Sequence, residues 1–204
     1  MPLIRTVAVV RMLSRRLILA LEMSNEPSTS AHDDSHSIDA LLEDIGDGSS
    51  GVAEDPIVSA LQAALGARAG DARLSRWLAL VGIHDAERDA SDRKRFETNT
   101  EYINYRHHGV SLCFERGLLD TVHFYRAGVD GYATSYAAAL PHGASMEFKG
   151  VDIVLALGEP TSKGGAGRLI WLSYDHLGLK FDLAAATFDE PDSVIASVAV
   201  WDAG

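Results

Sequence analysis

Two stretches of this chain repeat one another. Tyr105-Arg-His-His-Gly-Val-Ser-Leu-Cys-Phe114 aligns without gaps on Tyr174-Asp-His-Leu-Gly-Leu-Lys-Phe-Asp-Leu183, at a constant offset of 69 residues. Tyr105 falls on Tyr174, His107 on His176 and Gly109 on Gly178, while Val110, Leu112 and Phe114 fall on Leu179, Phe181 and Leu183. Alternation of apolar and polar residues is the mark of a strand with one face buried, and any two hairpins share it. The matched Tyr, His and Gly therefore carry the comparison. They predict two similar units that cover each other's apolar faces.

The surrounding sequence supplies matching elements. Asp55-Pro56 reads as a helix N-cap followed by proline at the first helical position, with Ile57, Leu61 and Leu65 on one face and Gly66 as the stop. A second helix over Ala72 to Val81 places Leu74, Trp77, Leu78 and Val81 together and ends at Gly82. The charged stretch from Ile83 to Thr100 reads as a surface loop. Three strands follow, Tyr102 to Arg106, Val110 to Glu115 and Leu118 to Tyr125, with turns at His108-Gly109 and Arg116-Gly117. After a connector over 126 to 144, a helix from Lys149 to Leu157 turns Val151, Val154 and Leu155 inward, and Gly158 and Pro160 end it. Strands at Arg168 to Tyr174, Gly178 to Leu183 and Val194 to Trp201 complete the order. The expectation is one α+β domain over 56 to 204, a tandem αβββ-αβββ repeat of antiparallel meanders packed on short helices. Repeat one covers 56 to 125 and repeat two 145 to 204.

The amino-terminal quarter reads differently. Residues 23 to 55 hold nine acidic residues and no Lys, Arg or aromatic residue, a composition that cannot offset the entropy of ordering and predicts a disordered acidic tail. Within it, Ile38, Leu41, Leu42 and Ile45 have helical spacing, a pattern that folds on a partner or forms only transiently. Residues 1 to 22 combine Arg5, Arg11, Arg15 and Arg16 with apolar residues. Their longest uncharged runs fall far short of the roughly 20 residues a membrane span needs. An amphipathic surface helix, a transit-like segment and a mis-called start with Met23 as the true first residue are the three readings, the last being favoured.

The formal net charge of −11 repels nucleic acid and anionic lipid and suits a basic protein partner, such as a basic toxin or enzyme, as well as plain solubility. A single cysteine, Cys113, rules out an internal disulfide and a multi-cysteine zinc cluster, so a reducing, cytoplasmic location is expected.

Val151-x-x-Val-Leu-x-x-Leu-Gly-Glu-Pro160, followed by Trp171 and Tyr174 on a strand, resembles the helix, LGEP turn and first strand of the BamE or SmpA type of outer-membrane assembly lipoprotein. The tandem order resembles the β-lactamase inhibitor protein fold. Gly109-Val-Ser-Leu-Cys-Phe, Gly117-x-Leu-Asp-Thr-Val, Gly128-Val-Asp-Gly-Tyr132 and Leu140-Pro-His-Gly143 resemble a group of uncharacterised bacterial domains, some read as toxin-immunity proteins. The resemblance implies an inhibitor-like scaffold and a protein partner. No lipobox cysteine precedes the domain, which argues against the lipoprotein role.

No catalytic, metal or cofactor motif emerges, and no cofactor is expected. With a two-residue loop at Arg116-Gly117, Cys113 should face Asp120, leaving His123 on the other face with Val110, Leu112 and Phe114. That separates the candidate nucleophile from its base. His107, His108, His142 and His176 lack the helical spacing of a zinc site, and two of them occupy equivalent turns. Thr161-Ser-Lys-Gly-Gly-Ala-Gly167 has its lysine before the glycines, the reverse of a P-loop, and reads as a flexible surface turn. Asp175 and Asp182 have no implied apolar pocket to set them apart as acid and base.

Aromatic residues remain, most of them core. Tyr125, Asp130, Tyr132, Tyr136, Trp171 and Tyr174 are the candidates for partner contact, on an exposed sheet face or on the loop from Gly128 to Tyr136. The leading expectation is a non-enzymatic protein-binding module of inhibitor or immunity type. An enzyme with a site between the repeats and an envelope-assembly accessory are the alternatives.

Overall fold

The computed structural model describes residues 54–204 apart from residue 168. The expectations for the leader, for the acidic tail up to residue 53, and for Met23 lie outside the described residues.

Among the described residues, three α-helices, α1 (Pro56–Ala64), α2 (Ala72–Leu80) and α3 (Gly150–Leu157), accompany eight strands: β1 (Asp92–Arg95), β2 (Thr100–Tyr105), β3 (Val110–Glu115), β4 (Leu118–Tyr125), β5 (Ser162–Ala166), β6 (Leu169–Tyr174), β7 (Leu179–Leu183) and β8 (Ile195–Trp201). All eight form one antiparallel sheet in the order β1-β2-β3-β4-β8-β7-β6-β5. The α+β class and the meanders expected from the sequence are thus present, with two strands more than the periodicity disclosed. The charged stretch contains β1, and the glycine-rich stretch read as a flexible turn is β5, so both of those readings are corrected.

Local chemistry explains most boundaries. The Asp55 carboxylate accepts from Ile57 N at 2.8 Å, satisfying one of the orphan donors of α1, and Asp71 does the same for α2 through Arg73 N. Asp152 caps α3 by reaching back to Lys149 N at 2.9 Å. The inner face of α3 differs from expectation: Ile153 is its fully buried residue, while Leu155 is 59% exposed. Gly66 N and Leu119 N exchange hydrogen bonds with Leu119 O and Ala67 O, which pins the α1–α2 corner to the start of β4.

Leu61, Leu74, Trp77, Leu78 and Ile153 join Ile103, Tyr105, Leu112, Phe124, Leu172, Tyr174, Phe181 and Val198 in one apolar cluster on the helix side of the sheet. Trp77 meets Phe124 edge-on at 6.2 Å. Burial of each such large side chain contributes about 2–3 kcal/mol.

The registers of the two halves run in parallel. Tyr105 pairs with Val110 and Tyr174 with Leu179; Ile103 pairs with Leu112 and Leu172 with Phe181. The Tyr105 hydroxyl donates to Ala86 O and that of Tyr174 to Gly158 O. Gly109 O accepts from Tyr125 N, and Gly178 O from Trp201 N. The register shifts once between Cys113 and Phe114 and once between Asp182 and Leu183.

Candidate functional site

Side chains alternate across a strand, so the residues between the core positions form a second face of the sheet. Tyr102, Asn104, Ser111, Cys113, His123, Tyr125, Ser197, Ala199, Trp201, Lys180, Asp182, Trp171 and Ser173 occupy it, and none belongs to the apolar cluster under the helices. No helix among the described residues packs there. This is the arrangement of an antiparallel sheet with one open face.

The bulge decides what that face contains. Arg116 and Gly117 both adopt positive φ, at 52° and 80°, and close the two-residue loop that the sequence predicts. The register then shifts, so Cys113 faces Thr121 instead of Asp120, and Ser111 faces His123. The expectation that His123 shares a face with Val110, Leu112 and Phe114 is therefore wrong: it lies on the open face with Cys113. Proximity does not activate the thiol. Burial pushes the Cys113 thiol up, against a smaller lowering by the Tyr102 hydroxyl, and burial pushes His123 down, so the thiol and the imidazole both stay neutral.

His123 sits instead in a ladder of rings. Phe96 meets Tyr102 at 5.9 Å, Tyr102 meets His123 at 6.1 Å, and His123 meets Tyr125 at 6.3 Å. Tyr125 stacks on Tyr132 at 3.9 Å with the planes 6° apart, and the Arg106 guanidinium covers the far side of Tyr132 at 5.2 Å.

Beneath the ladder lies a closed polar network. Asn104 Oδ1 accepts from Ser111 Oγ at 2.7 Å and from Tyr132 Oη at 2.9 Å, and its amide donates to Asp92. Arg106 Nε donates to the other Asp92 oxygen at 2.9 Å, and its Nη1 donates to Asp130 O. The Asn104 bond, followed by Arg106, holds the Asp92 carboxyl below the usual carboxylate range against the opposing effect of burial. Burial raises the Tyr125 phenol far above its ordinary value and Tyr132 with it, so both stay neutral. Lys94, Phe96, Tyr102, Asn104, Tyr125 and Tyr132 line an open groove of about 440 Å³ above this network.

The structure divides the six contact candidates. Tyr125, Asp130 and Tyr132 come together at the groove. Trp171 is on the open face at the other end of the sheet, beneath Lys180 at 5.4 Å and over Gly164, where a Cβ would meet its ring at 2.6 Å. Tyr136 and Tyr174 are corrected: they pack on Phe124 and Phe181 in the apolar cluster on the helix side of the sheet, away from the groove that Tyr132, itself buried, helps to line. Lys94, Phe96, Tyr102 and Arg106 are not among the contact candidates of the sequence, and His123 enters there only as a possible base for Cys113. The alternation of Lys94 and Phe96 with Arg93 and Arg95 is a strand signal written almost wholly in charge.

His123 makes stability depend on pH. An imidazole whose folded pKa lies below its ordinary 6.5 binds fewer protons in the fold than in the unfolded chain between those two values, so stability rises with pH across that window and is lost on acidification. Lys180 lowers it further, while Asp182 and Asp120 act the other way. Urea midpoints measured from about pH 7 to pH 5 should fall for the wild type and fall less for His123→Gln. Equal slopes would show that His123 is not the group responsible.

Among the described residues no cluster of three or more His, Cys, Asp or Glu side chains converges as a metal site, and no helix is long and apolar enough to cross a membrane. No family model matches this chain, and no curated protein matches it. Among solved structures, the crystal structure of an extracellular protein containing a SCP domain from Bacillus anthracis str. Ames is similar over 87% of this chain, with 10% identity and a TM-score of 0.37. The chain spans 50% of that protein's length.

Proposed function

We propose that this protein is a non-enzymatic binding module of inhibitor or immunity type that grips a partner protein with the open face of its sheet. The observation that carries the reading is the groove: rings locked in place by stacking and by a satisfied polar network, on a face that no helix among the described residues covers. Tyr and Arg in pre-ordered, partly desolvated positions are the composition of binding hot spots, because little side-chain entropy remains to be lost on association. The cytoplasm is the proposed location, in keeping with the single, buried thiol.

We further propose that the scaffold is a tandem repeat. Its support is that Tyr105 and Tyr174, Gly109 and Gly178, and the bulged residues Cys113 and Asp182, all matched at the offset of 69, occupy like positions in the strand registers and make like hydroxyl and carbonyl bonds. The mirrored strand order then relates the halves by an approximate two-fold axis through the His123–Ala199 pair, in the middle of the open face.

The test is co-expression with the product of the adjacent gene, scoring both rescue of growth and co-purification. Binding and rescue are expected, with Tyr125→Ala weakening affinity by about 30-fold or more, as truncation of a hot-spot ring does. No binding to the neighbouring product, or binding unchanged in both Tyr125→Ala and Trp171→Ala, would sink the reading.

A further inference from the structure

We infer that the open edge of β1 accepts an extended, acidic strand from the partner, adding a ninth strand beside the aromatic groove. The inference rests on the protein-binding reading above and names how the partner docks.

The backbone is available. Phe96 N donates to Thr100 O at 2.9 Å, which makes Phe96 and, two residues back, Lys94 the positions bonded to β2. In an antiparallel ladder the intervening residues point their N–H and C=O groups away. Arg93 and Arg95 therefore present theirs at the edge of the sheet, and no described residue bonds to them. The opposite edge differs: Gly165 within β5 has φ 95°, which interrupts the straight row of groups a new strand would need. No residue of β1 has positive φ.

The charge names the occupant. Arg93, Lys94 and Arg95 are consecutive on β1, with Arg106 and Arg116 beside the grooves that flank Phe96. Arg93 donates to Glu87 and lies 3.8 Å from Glu101, which Arg95 holds at 3.1 Å, while Lys94 has no carboxylate within 4.0 Å among the described residues and carries the unbalanced charge of the edge. Cations on an edge strand normally deter pairing, and against a basic or neutral strand they do so here. An acidic strand turns the same charges into attraction. So although the net charge of −11 favours basic partners at long range, the segment that docks at this edge is acidic.

The groove adds side-chain selection. Side chains of an added strand alternate between faces, so those on the open side pack beside Lys94 and Phe96, itself 54% exposed, at the β1 end of the groove. An aromatic or branched apolar residue fits beside Phe96, while the carboxylates, alternating to the other face, meet Arg93 and Arg95.

The probe is a short acidic peptide alternating glutamate with valine and tyrosine, added to the full chain and compared with its lysine-for-glutamate counterpart. Binding of the acidic peptide should slow hydrogen exchange at the Arg93 and Arg95 amides by about tenfold or more, and the lysine peptide should bind at least about tenfold more weakly. Arg95→Pro removes an N–H that points away from β2, so the fold should persist while peptide affinity drops by about tenfold. No binding at millimolar acidic peptide, equal binding of the lysine peptide, or unprotected Arg93 and Arg95 amides overturns the inference. With the natural partner the two readings separate: loss of binding in Tyr125→Ala but not in Arg95→Pro removes the added strand and leaves the binding module standing. Insensitivity to both removes both.

Discussion

Gly178→Ala should remove about 3–4 kcal/mol of stability, lowering Tm by about 10 °C, whereas Gly117→Ala should cost only about 1 kcal/mol. Both glycines lie in the left-handed region, at φ 62° and 80°, where a Cβ costs roughly 1–2 kcal/mol in any surroundings. They differ in what that Cβ meets. At Gly117 nothing lies within 4 Å, while at Gly178 the new methyl would overlap the carbonyl oxygen of Trp201 and press on its carbon at 3.1 Å. Trp201 cannot retreat, since its own N–H donates to Gly178 O at 3.0 Å and its strand is held between β4 and β7. Overpacking of this kind adds roughly 1–3 kcal/mol, a large share of the roughly 5–15 kcal/mol that holds a domain of this size together. Gly109 should behave like Gly178, because a Cβ there meets Tyr136 N at 2.5 Å while Gly109 O accepts from Tyr125 N. Chemical denaturation of the three alanine variants measures the difference directly. If Gly178→Ala is as mild as Gly117→Ala, the close approach at this turn is not what selects glycine, and the proposed equivalence of the two halves loses one of its physical supports.

How much could be read from residues alone follows from where the signal is apolar. The strands Val110–Glu115 and Leu118–Tyr125 alternate apolar with polar residues and were bounded to the residue. β1 buries almost nothing and β5 is mostly Ser, Lys and Gly, so neither carries the hydrophobic period on which a strand assignment depends. Both are edge strands, where selection acts through charge and backbone shape more than through burial. One unforeseen bulge had the largest consequence. A perfect ladder from the Arg116-Gly117 loop predicts His123 on the core side, and the extra residue at Asp120 moves it to the open face, between Tyr102 and Tyr125. The candidate site was legible in part for the same reason. Tyr125, Asp130 and Tyr132 are consecutive enough in sequence to be grouped, whereas Lys94, Phe96 and Arg106 reach the groove only through the pairing of β1 with β2. Tyr136 was misplaced because the connector crosses from one face of the sheet to the other between Tyr132, stacked on Tyr125, and Tyr136, packed on Phe124.

Asn104→Leu should be the most damaging single change on the open face, costing about 3 kcal/mol although it replaces a polar side chain by an apolar one of similar volume. Asn104 is 6% exposed and serves three neighbours at once: Ser111 Oγ and Tyr132 Oη donate to its oxygen, and its amide donates to Asp92. Leucine satisfies none of them. Ser111 is 1% exposed and Tyr132 4%, so neither hydroxyl can turn to water, and each orphaned buried group costs roughly 1–3 kcal/mol. Asp92 retains Arg106 and loses its principal acid-strengthening bond, so its carboxyl should titrate closer to the ordinary value in the variant. A carboxyl with a depressed folded pKa lends stability above its unfolded pKa and loses it as pH falls through the folded one; Asn104→Leu should therefore flatten the stability profile in the acid range below about pH 4. A double-mutant design separates orphaned hydrogen bonds from mere misfit. On the wild-type background Ser111→Ala and Tyr132→Phe each leave Asn104 short of a donor and should destabilise. On the Asn104→Leu background the same two changes remove groups that have no partner and should restore about 1–2 kcal/mol. That reversal of sign in the urea midpoints is the signature of a network that is stable only when complete. If Ser111→Ala and Tyr132→Phe destabilise both backgrounds alike, the three side chains contribute independently, and the rigidity assigned to the Tyr125–Tyr132 stack has no source in the polar layer beneath it.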